Sequence, residues 1–296
     1  MEQINVLVST YNGEQYIEEQ LESILAQTYK NIKVYVRDDG STDRTCQILE
    51  QYESKQQIIL IKGKNVGYGQ SFMHLLDVAS DGDFWAFSDQ DDIWEPEKLD
   101  KAVDCLKREK KDCPLLYCHA YYITDKDLNI NGTVNGTQDK YSFQKAITEC
   151  VHMGFASVIN SSLRAYMLRG KDHDLISHDW WAEMIAMEFG HVYSDSYIGA
   201  KHRRLENSVS GNNLVNRFRW LRRSLHGETE IHNLTRNFYD IFGDQMHEND
   251  KKILSWFVYD KYDFSKAVKK VFYYKRWRSS IASECVVRAL MLLGKI

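Results

Sequence analysis

Three aspartates stand close together directly after an apolar stretch of the chain. Asp89, Asp91 and Asp92 follow the run 84–87, and a helix is predicted to begin just beyond them. Carboxylates this close repel one another at neutral pH unless a cation, hydrogen bonds or water compensates the charge. Hard divalent ions such as Mg2+ and Mn2+ take oxygen ligands and often share them with phosphates. The turn is therefore a candidate metal and phosphate site; the alternative is an acidic turn that only caps the next helix.

Polar or small residues also follow the three preceding predicted strands. These residues are Ser9, Tyr11 and Asn12 after the first strand, Asp38 and Asp39 after the second, and Asn65 and Gly67 after the third. Right-handed crossovers bring such loops to one edge of a parallel sheet, where ligands bind. There Tyr11 can stack on a base, Asp39 can accept a hydrogen bond from a base or ribose, and Gly67 allows close backbone approach. Each loop taken alone is better explained by ordinary turn chemistry, and it is their convergence that favours a binding site.

The hydrophobic pattern that positions these residues alternates strands and helices. Strands are predicted at 4–9, 32–36, 58–61 and 84–87, each followed by apolar residues at helical spacing. Four such units predict an α/β fold with a mostly parallel sheet covered on both faces. Neither a G-x-G-x-x-G after the first strand nor a P-loop occurs in the sequence, which disfavours a dinucleotide oxidoreductase or an NTPase.

Composition restricts the remaining choices. The 296 residues carry 38 Lys and Arg against 42 Asp and Glu, so the chain as a whole is not expected to bind nucleic acid. The six cysteines form no C-x-x-C pair and are interpreted as buried, reduced thiols of a cytoplasmic protein. No secretory signal is recognised, and no apolar run reaches the roughly twenty residues that span a bilayer.

The chain resembles a GT-A fold, family 2 glycosyltransferase over roughly residues 3–215. The resemblance is carried in order by VLVSTYNGEQYIEEQLESILAQTYKNIKVYVRDDGSTD and SDQDDIWEPEKL. It implies an α/β nucleotide-sugar-binding fold with a mixed, mainly parallel sheet. It assigns the nucleoside to Ser9, Tyr11 and Asp39, with Asn12, Gly67 and Asp89 also facing the nucleotide sugar. The family's D-x-D holds Mn2+ or Mg2+ and the diphosphate, which maps to Asp89 and Asp91 with Asp92 adjacent.

The second half of the chain is expected to carry the acceptor. Residues 115–124 are predicted as a strand, 129–136 as a loop, and 153–160, with Gly154, as the strand beneath the acceptor site. Asp179 stands where these transferases keep the general base, at the start of an apolar helix; a simple helix-dipole partner is the alternative.

The neighbours of Asp179 each allow two interpretations. Trp180 and Trp181 are predicted either to stack on a sugar face or to fill the core, and His178 either orients the base or, the preferred interpretation, is an exposed helix cap. Family members usually have a metal-binding His where this chain has Leu205. Either His202 substitutes for it, water fills the position, or metal binding is weakened.

A change of composition suggests the domain organisation. We predict a transferase domain at 1–212, with a nucleotide-sugar half at 1–112 and an acceptor half at 113–212, followed by a helical extension at 213–296. Segments 217–223 and 269–278 of this extension interleave aromatic and basic residues. They either cover their own domain or bind an anionic membrane, as an enzyme on the inner face of the cell membrane would.

The resemblance leads to a specific hypothesis about activity. An inverting, metal-dependent transferase would move L-rhamnose or a similar hexose from a dTDP- or UDP-linked donor to a glycan or lipid-linked glycan of a bacterial surface polysaccharide. Leu205 motivates an alternative, a catalytically silent nucleotide-sugar-binding or scaffold protein. A sugar-phosphate nucleotidyltransferase is less favoured, because the chain lacks the Gly-rich, Arg- and Lys-bearing segment that this chemistry needs.

Overall fold

The computed structural model describes residues 1–108, 112–136, 141–173, 177–205 and 230–296. The strands share one sheet and are β1 Ile4–Thr10, β2 Ile32–Asp38, β3 Ile59–Lys62, β4 Phe84–Ser88, β5 Ile93–Trp94, β6 Leu115–Thr124, β7 Ile130–Val134, β8 Ser157–Asn160 and β9 His191–Arg203. The helices of the first 203 residues are α1 Ile17–Leu25, α2 Thr45–Ser54, α3 Tyr68–Val78, α4 Lys98–Leu106, α5 Phe143–Ala146, α6 Ser161–Leu168 and α7 His178–Phe189.

The sheet has the order β3-β2-β1-β4-β8-β6-β9-β5, with β7 on β6. The first four strands are parallel to one another, which confirms the predicted alternation of strands and helices. Strand β8 runs antiparallel to β4 and β6, and the long β9 runs parallel to β6. The carboxyl ends of β1, β2 and β4 therefore lie along one edge, beside the strands of the second half.

Two local predictions were wrong. Residues 130–134, expected as part of a loop, form β7, which pairs antiparallel with the end of β6. The Asn and Gly content pointed to a loop, but the edge of β6 supplies hydrogen-bond partners that the local sequence cannot reveal. Residues 154–156, expected in a strand, form a short 3-10 turn, and strand structure begins only at Ser157.

The buried apolar residues form two clusters, and one of them contains α7 with its two tryptophans. Trp181 is fully buried, and its indole N–H donates to the carbonyl of Met167 at 3.1 Å. Trp180 is buried as well and donates to the carbonyl of Ala146. Both side chains belong to one hydrophobic cluster with residues of the C-terminal helices. Of the two roles predicted for this pair, their burial fits packing, because neither indole presents a face to a sugar here.

The C-terminal part of the chain is helical, as expected. Its described helices are α8 Glu230–Phe242, α9 Glu248–Leu254, α10 Phe264–Val271 and α11 Ile281–Leu292. Phe238 and Phe242 of α8 pack on Trp181, with ring centroids 5.5 and 5.6 Å away. The predicted domain boundary at residue 212 and the basic segment 217–223 lie outside the described residues.

Cysteine chemistry and membrane topology complete this description. None of the six cysteines forms a disulfide, but only Cys118 is buried; four are half-buried and Cys285 is exposed, so the expectation of buried thiols was wrong for most of them. Among the described residues, we find no helix that combines the length and the apolar character needed to cross a bilayer.

The burial of Trp181 gives a stability prediction. Trp181→Ala should lower the free energy of unfolding by about 3–5 kcal/mol, because it leaves a large cavity in the core. Tyr274→Ala, which truncates an aromatic side chain that is 82% exposed, should change it by less than about 0.5 kcal/mol. Urea denaturation of the two variants makes the comparison. A Trp181 variant as stable as the parent would refute the packing role.

Candidate functional site

The ends of β1 and β2 and the loop after β3 are joined through Asp39. Its carboxylate accepts hydrogen bonds from the backbone N–H groups of Val66 and Gly67 at 3.0 Å. Its own backbone N–H donates to Thr10 at 2.8 Å, and the guanidinium of Arg37 pairs with it at 2.8 Å. This buried network uses much of the acceptor capacity of Asp39. The structure thus brings together the loops predicted to converge, and gives Asp39 an internal role.

Gln90 connects the first of these loops to the acidic turn. Its side-chain oxygen accepts from the hydroxyl of Thr10 at 2.7 Å and from the backbone N–H of Tyr11 at 2.8 Å. A Cβ on Gly13 would stand 2.4 Å from the same oxygen, so a larger residue there would displace it. Sequence reasoning missed Gln90, although its position inside the D-x-D was a usable signal. Tyr11, held in this way, remains 45% exposed and available for stacking.

The other predicted nucleoside residues have partners within the protein. The hydroxyl of Ser9 bonds to that of Ser71 at 2.7 Å. Asn12 adopts a positive φ of 50°, and its side-chain oxygen accepts from the backbone N–H of Thr42 at 2.8 Å. Gly67 also has a positive φ, of 83°, a conformation that favours glycine at this turn. These residues shape the loop edge.

The acidic turn is electrostatically unfavourable as it stands. Burial, together with the charges of Asp92 and Asp91, raises the pKa of Asp89 to about 8. Burial and the charge of Asp92 likewise raise the pKa of Asp91 to about 6. The charge of Asp179 is the smallest of the causes that raise the pKa of Asp89. The raised pKa values mean that ionising these carboxylates costs free energy here, and a bound divalent cation would lower that cost.

Asp92 is fully buried, and its charge acts on both of the other carboxylates. One of its oxygens accepts from Nδ1 of His202 at 2.8 Å and from the backbone N–H of Arg203 at 3.3 Å. Its second oxygen is buried without a partner among the described residues. Burial lowers the pKa of His202, but the charges of Asp92, Asp89 and Asp91 outweigh this effect and raise it. The pair anchors the end of β9 to the turn.

His202 therefore contacts the acidic turn through Asp92. Leu205 is half-buried just beyond β9, and the segment 206–211 that follows it lies outside the described residues. Asp89, Asp91 and Asp92 do not form a closed three-ligand cage with His202. In the described part of the chain, only Glu188, His247 and Asp250 bring three potential ligand atoms within 4.8 Å of one another. An ion at the acidic turn would therefore need oxygens from a phosphate, the usual arrangement for Mg2+.

Lys98 is a buried cation that sequence reasoning missed. Its ammonium donates to the carbonyl of Phe155 at 2.7 Å and lies 3.4 Å from the centroid of the Trp94 ring. Burial lowers its pKa well below the usual value, while Asp92 and Asp89 act in the opposite direction. The sequence offered no signal, because a lysine at the start of a helix is normally solvated.

Asp179 lies in the first turn of α7 and faces the backbone of the 3-10 turn. One of its oxygens accepts from the hydroxyl of Ser177 and from the backbone N–H of Trp180, and the other from the N–H of Gly154 at 3.2 Å. A Cβ on Gly154 would stand 2.5 Å from Nε2 of His178, so only glycine fits there without displacement. Gly154 thus positions the predicted base, which is a different contribution from direct acceptor binding.

His178 is buried, so its prediction as an exposed cap was wrong. Its ring centroid lies 4.0 Å from that of Phe72 and 4.8 Å from that of Phe87. Neither ring nitrogen has a hydrogen-bond partner among the described residues, and burial lowers the pKa of the imidazole to about 4. His178 is therefore a neutral packing residue beneath the site at neutral pH.

Glu183 fixes the loop that contacts Asp179. One turn further along α7, its buried carboxylate accepts from the backbone N–H groups of Val151 and His152 at 3.0 and 2.9 Å and from Nδ1 of His152 at 3.0 Å. Nε2 of His152 in turn bonds to the hydroxyl of Ser194 at 3.1 Å. The spacing Asp179 to Glu183, one helical turn, was the available signal for this residue.

Comparison with known proteins decides the family. A family model described as Glycosyl transferase family 2 matches residues 5–169. The dTDP-rhamnosyl transferase RfbG of Shigella flexneri is 32% identical over 216 residues, which cover 70% of this chain and 74% of that protein. The chain belongs to glycosyl transferase family 2. A second relative is the Escherichia coli protein UDP-Glc:alpha-D-GlcNAc-diphosphoundecaprenol beta-1,3-glucosyltransferase WfaP. It is 30% identical to this transferase over 132 residues, and the match covers 45% of this chain and 51% of that one.

Solved structures show the same α/β fold. S. aureus TarS 1-349 in complex with UDP-GlcNAc superposes with a TM-score of 0.58 at 15% identity, covering 99% of this transferase and 91% of that chain. The mannosyltransferase PcManGT from Pyrobaculum calidifontis, solved with GDP-Man and Mn2+, gives a TM-score of 0.54 at 18% identity and covers 86% and 68% of the two chains. The predicted GT-A class is thereby confirmed.

The raised pKa values at the acidic turn predict an unusual pH dependence of stability. The pKa of Asp89 in the folded state exceeds its unfolded value of about 3.9. The folded state is therefore most stable below about pH 4, where the carboxyl is protonated in both states. It loses stability as the pH rises from about 4 to about 8. Without divalent ions, Asp89→Asn should therefore stabilise the transferase, and the gain at pH 8 should exceed the gain at pH 5 by at least about 1 kcal/mol, because each pH unit between the two pKa values is worth about 1.4 kcal/mol. Urea titrations at both values measure this.

A matched control is Asp104→Asn, which removes an exposed carboxylate from α4. It should leave stability within about 0.5 kcal/mol of the parent at either pH. If the two variants show the same change in the free energy of unfolding at both pH values, repulsion among the carboxylates of the turn does not destabilise the fold.

Proposed function

We propose that this family 2 glycosyltransferase moves L-rhamnose or a similar hexose from a dTDP- or UDP-linked donor to a glycan, with inversion, in bacterial surface polysaccharide synthesis. The observation that carries the proposal is the packing of the first turn of α7 against the strand that ends in the acidic turn. The ring centroid of His178, next to Asp179, lies 4.8 Å from that of Phe87 on β4, two residues before Asp89. The candidate base and the candidate diphosphate site are thus brought together, as sugar transfer requires.

The donor is inferred from the loop edge and from the relatives. Tyr11 is exposed for stacking on a base, while the Asp39 network holds the loop that faces it. The Shigella flexneri relative is named as a dTDP-rhamnosyl transferase, which supports a deoxyhexose donor. The TarS complex contains UDP-GlcNAc, which supports a pyrimidine nucleotide more broadly.

A divalent cation fits the donor groups at the turn. Asp89 and Asp91 would hold Mn2+ or Mg2+, since their raised pKa values reflect uncompensated negative charge. His202 would orient Asp92 and reduce the charge around the ion, in place of the histidine that Leu205 replaces. When bound, the ion supplies charge neutralisation to the leaving diphosphate.

Asp179 has the contacts expected of a general base. Hydrogen bonds from Ser177, Trp180 and Gly154 fix its carboxylate, which leaves lone pairs to accept a proton from an acceptor hydroxyl. The oxygen of the acceptor hydroxyl then attacks the anomeric carbon of the donor sugar as the bond from that carbon to the diphosphate breaks. This single displacement inverts the configuration at the anomeric carbon. Glu183 contributes by fixing the backbone that carries Gly154.

We further propose that the acceptor is a lipid-linked glycan at the inner face of the cell membrane. The Escherichia coli relative is named for an acceptor on diphosphoundecaprenol. A transferase with such an acceptor works where a membrane surface meets the cytoplasm.

The role of Asp91 can be tested without knowing the acceptor. Asp91→Ala should remove any Mn2+-dependent gain in affinity for UDP or dTDP, because ion and diphosphate share the carboxylate, and should lower transfer by at least about a hundredfold. The backbone contact of Arg203 with the carbonyl of residue 91 survives the change. Calorimetry with and without Mn2+, with Asp104→Ala as the control, makes the comparison. Unchanged metal dependence would point to another site, with Glu188, His247 and Asp250 the first to examine.

The role of Asp179 separates an enzyme from a silent binder. Asp179→Asn keeps the side-chain size but does not accept a proton at neutral pH, so donor binding should survive while transfer falls about a hundredfold to ten-thousandfold. A lost helix-dipole contact alone would cost only about 0.3–1 kcal/mol. Calorimetry for donor binding accompanies the transfer assay.

Two results would contradict the assignment of Asp179. Transfer by the Asn variant at a rate near that of the parent would make Asp179 a helix-dipole partner only. Donor binding by both proteins with no transfer across a broad panel of donors and acceptors would favour the silent binder, and Leu205→His would then be the next variant.

A further inference from the structure

The last helix of the chain has an apolar face towards solvent. From Ile281 to Leu293, every exposed residue is aliphatic, alanine or cysteine. The larger of these side chains are Ile281, 73% exposed, Val286, Leu292 and Leu293, 61% exposed. The opposite face of α11 packs into the core through residues such as Val287 and Leu290. A helix that is apolar on both faces lacks a partner on one of them.

The neighbouring helix α10 adds exposed aromatic residues. Phe264 at the start of α10 is 64% exposed, Phe272 directly after its last residue is 79% exposed, and Tyr274 follows at 82%. Trp277, which belongs to the same aromatic and basic segment 269–278 as Phe272 and Tyr274, is fully buried. The segment therefore directs some of its aromatic rings to solvent and others into the core.

Specific hydrogen bonds make α10 and α11 one unit. The hydroxyl of Tyr262, just before α10, donates to the carbonyl of Leu292 at 2.8 Å. The guanidinium of Arg288 on α11 donates to the carbonyl of Val271, at the end of α10, and to those of Tyr273 and Lys275. The start of α10 thus lies beside the end of α11. We call residues 261–296 the terminal helix pair.

Charge separates this pair from the rest of the chain. Residues 261–296 contain nine Lys and Arg and two Asp and Glu, a net charge of +7, so the remaining 260 residues carry −11 of the total −4. The two acids are used internally: Asp263 caps α10, and Glu284 pairs with Arg288 at 2.6 Å. The exposed charged residues of the pair are all basic, namely Lys261, Lys269, Lys275 and Arg276.

We propose that the exposed face of the terminal helix pair binds the surface of an anionic lipid bilayer. Aliphatic and aromatic side chains can enter the headgroup boundary, while the surrounding basic residues attract anionic headgroups. The twelve residues of α11 extend only about 18 Å, too short to cross the roughly 30 Å hydrocarbon layer, so the helix lies on the surface. A second copy of the chain is a poorer occupant, because two faces of the same positive charge would repel each other.

This inference adds a defined docking surface to the proposed function. It rests on that function only for the idea of a lipid-linked acceptor. Vesicle binding is measured without donor or acceptor, so a failure of docking and a failure of sugar transfer are separate results.

The experiment measures co-sedimentation of the full chain with vesicles of phosphatidylglycerol and phosphatidylcholine, against pure phosphatidylcholine. Binding should require the anionic lipid and weaken as NaCl rises from 0.05 to 0.5 M. Lys269→Gln with Lys275→Gln should weaken it on the order of twentyfold, about fivefold for each charge. Ile281→Ser with Leu293→Ser should weaken it at low salt too, because the apolar contribution is lost.

Matched controls change the same residue types elsewhere. Lys33→Gln with Lys126→Gln removes two exposed charges, and Ile130→Ser removes an exposed aliphatic side chain of β7. Both should bind vesicles as the parent does. Cys285, the exposed cysteine of the face, gives a second readout, since an environment-sensitive fluorophore there should shift to the blue with anionic vesicles only.

Several results would overturn the proposal. These are equal binding to neutral and anionic vesicles, equal losses in the control variants, or a fluorophore at Cys285 that stays in water. Concentration-dependent self-association that Ile281→Ser with Leu293→Ser abolishes would assign the face to a second copy. If docking serves the reaction, the terminal variants should keep transfer to a water-soluble acceptor and lose it to one embedded in anionic vesicles; equal loss on both would contradict a docking role.

Discussion

The rest of the structure depends on the repulsion among carboxylates at the end of β4. Asp89 and Asp91 are half-buried beside the fully buried Asp92, and the environment raises the pKa of the first two. Groups from β9 offset part of this charge, since His202 and the backbone N–H of Arg203 both donate to Asp92. The compensation is incomplete, because one oxygen of Asp92 has no hydrogen-bond partner among the described residues. A donor diphosphate with its cation would complete the balance.

The strand ends could be predicted from the sequence because they obey a local rule. Apolar β-branched runs that stop at polar residues predict where parallel strands end, and the edge follows from the handedness of crossovers. The internal roles of the edge residues could not be predicted in the same way. Asp39 is engaged by backbone groups 27 and 28 positions away, and Asp92 by residues 110 and 111 positions away. Such contacts depend on tertiary packing, which no local spacing encodes.

Aromatic residues show the same limit. Trp181, Trp277 and His178 each have a charged residue within two positions in the sequence, yet all three are buried. Phe272 and Tyr274, only a few positions from Trp277, are among the most exposed side chains of the described chain. Composition recognises an aromatic and basic segment but not which rings face inward, because that depends on the rotation of short helices against a core formed mostly by distant residues. The sequence was sufficient to identify the segment 269–278, but not to show which of its side chains are exposed.

The uneven charge of the chain gives the proposed membrane contact a direction. An anionic surface attracts the terminal helix pair, at +7, and repels the remaining 260 residues, at −11. The two forces act on different parts of one molecule and therefore orient it, with the helix pair against the lipid and the acidic part further away. At about 0.15 M salt the Debye length is about 8 Å, so this orientation acts only close to the surface. Because α8 packs on Trp181 of α7, whose first turn carries Asp179, orientation of the C-terminal region also orients the candidate base.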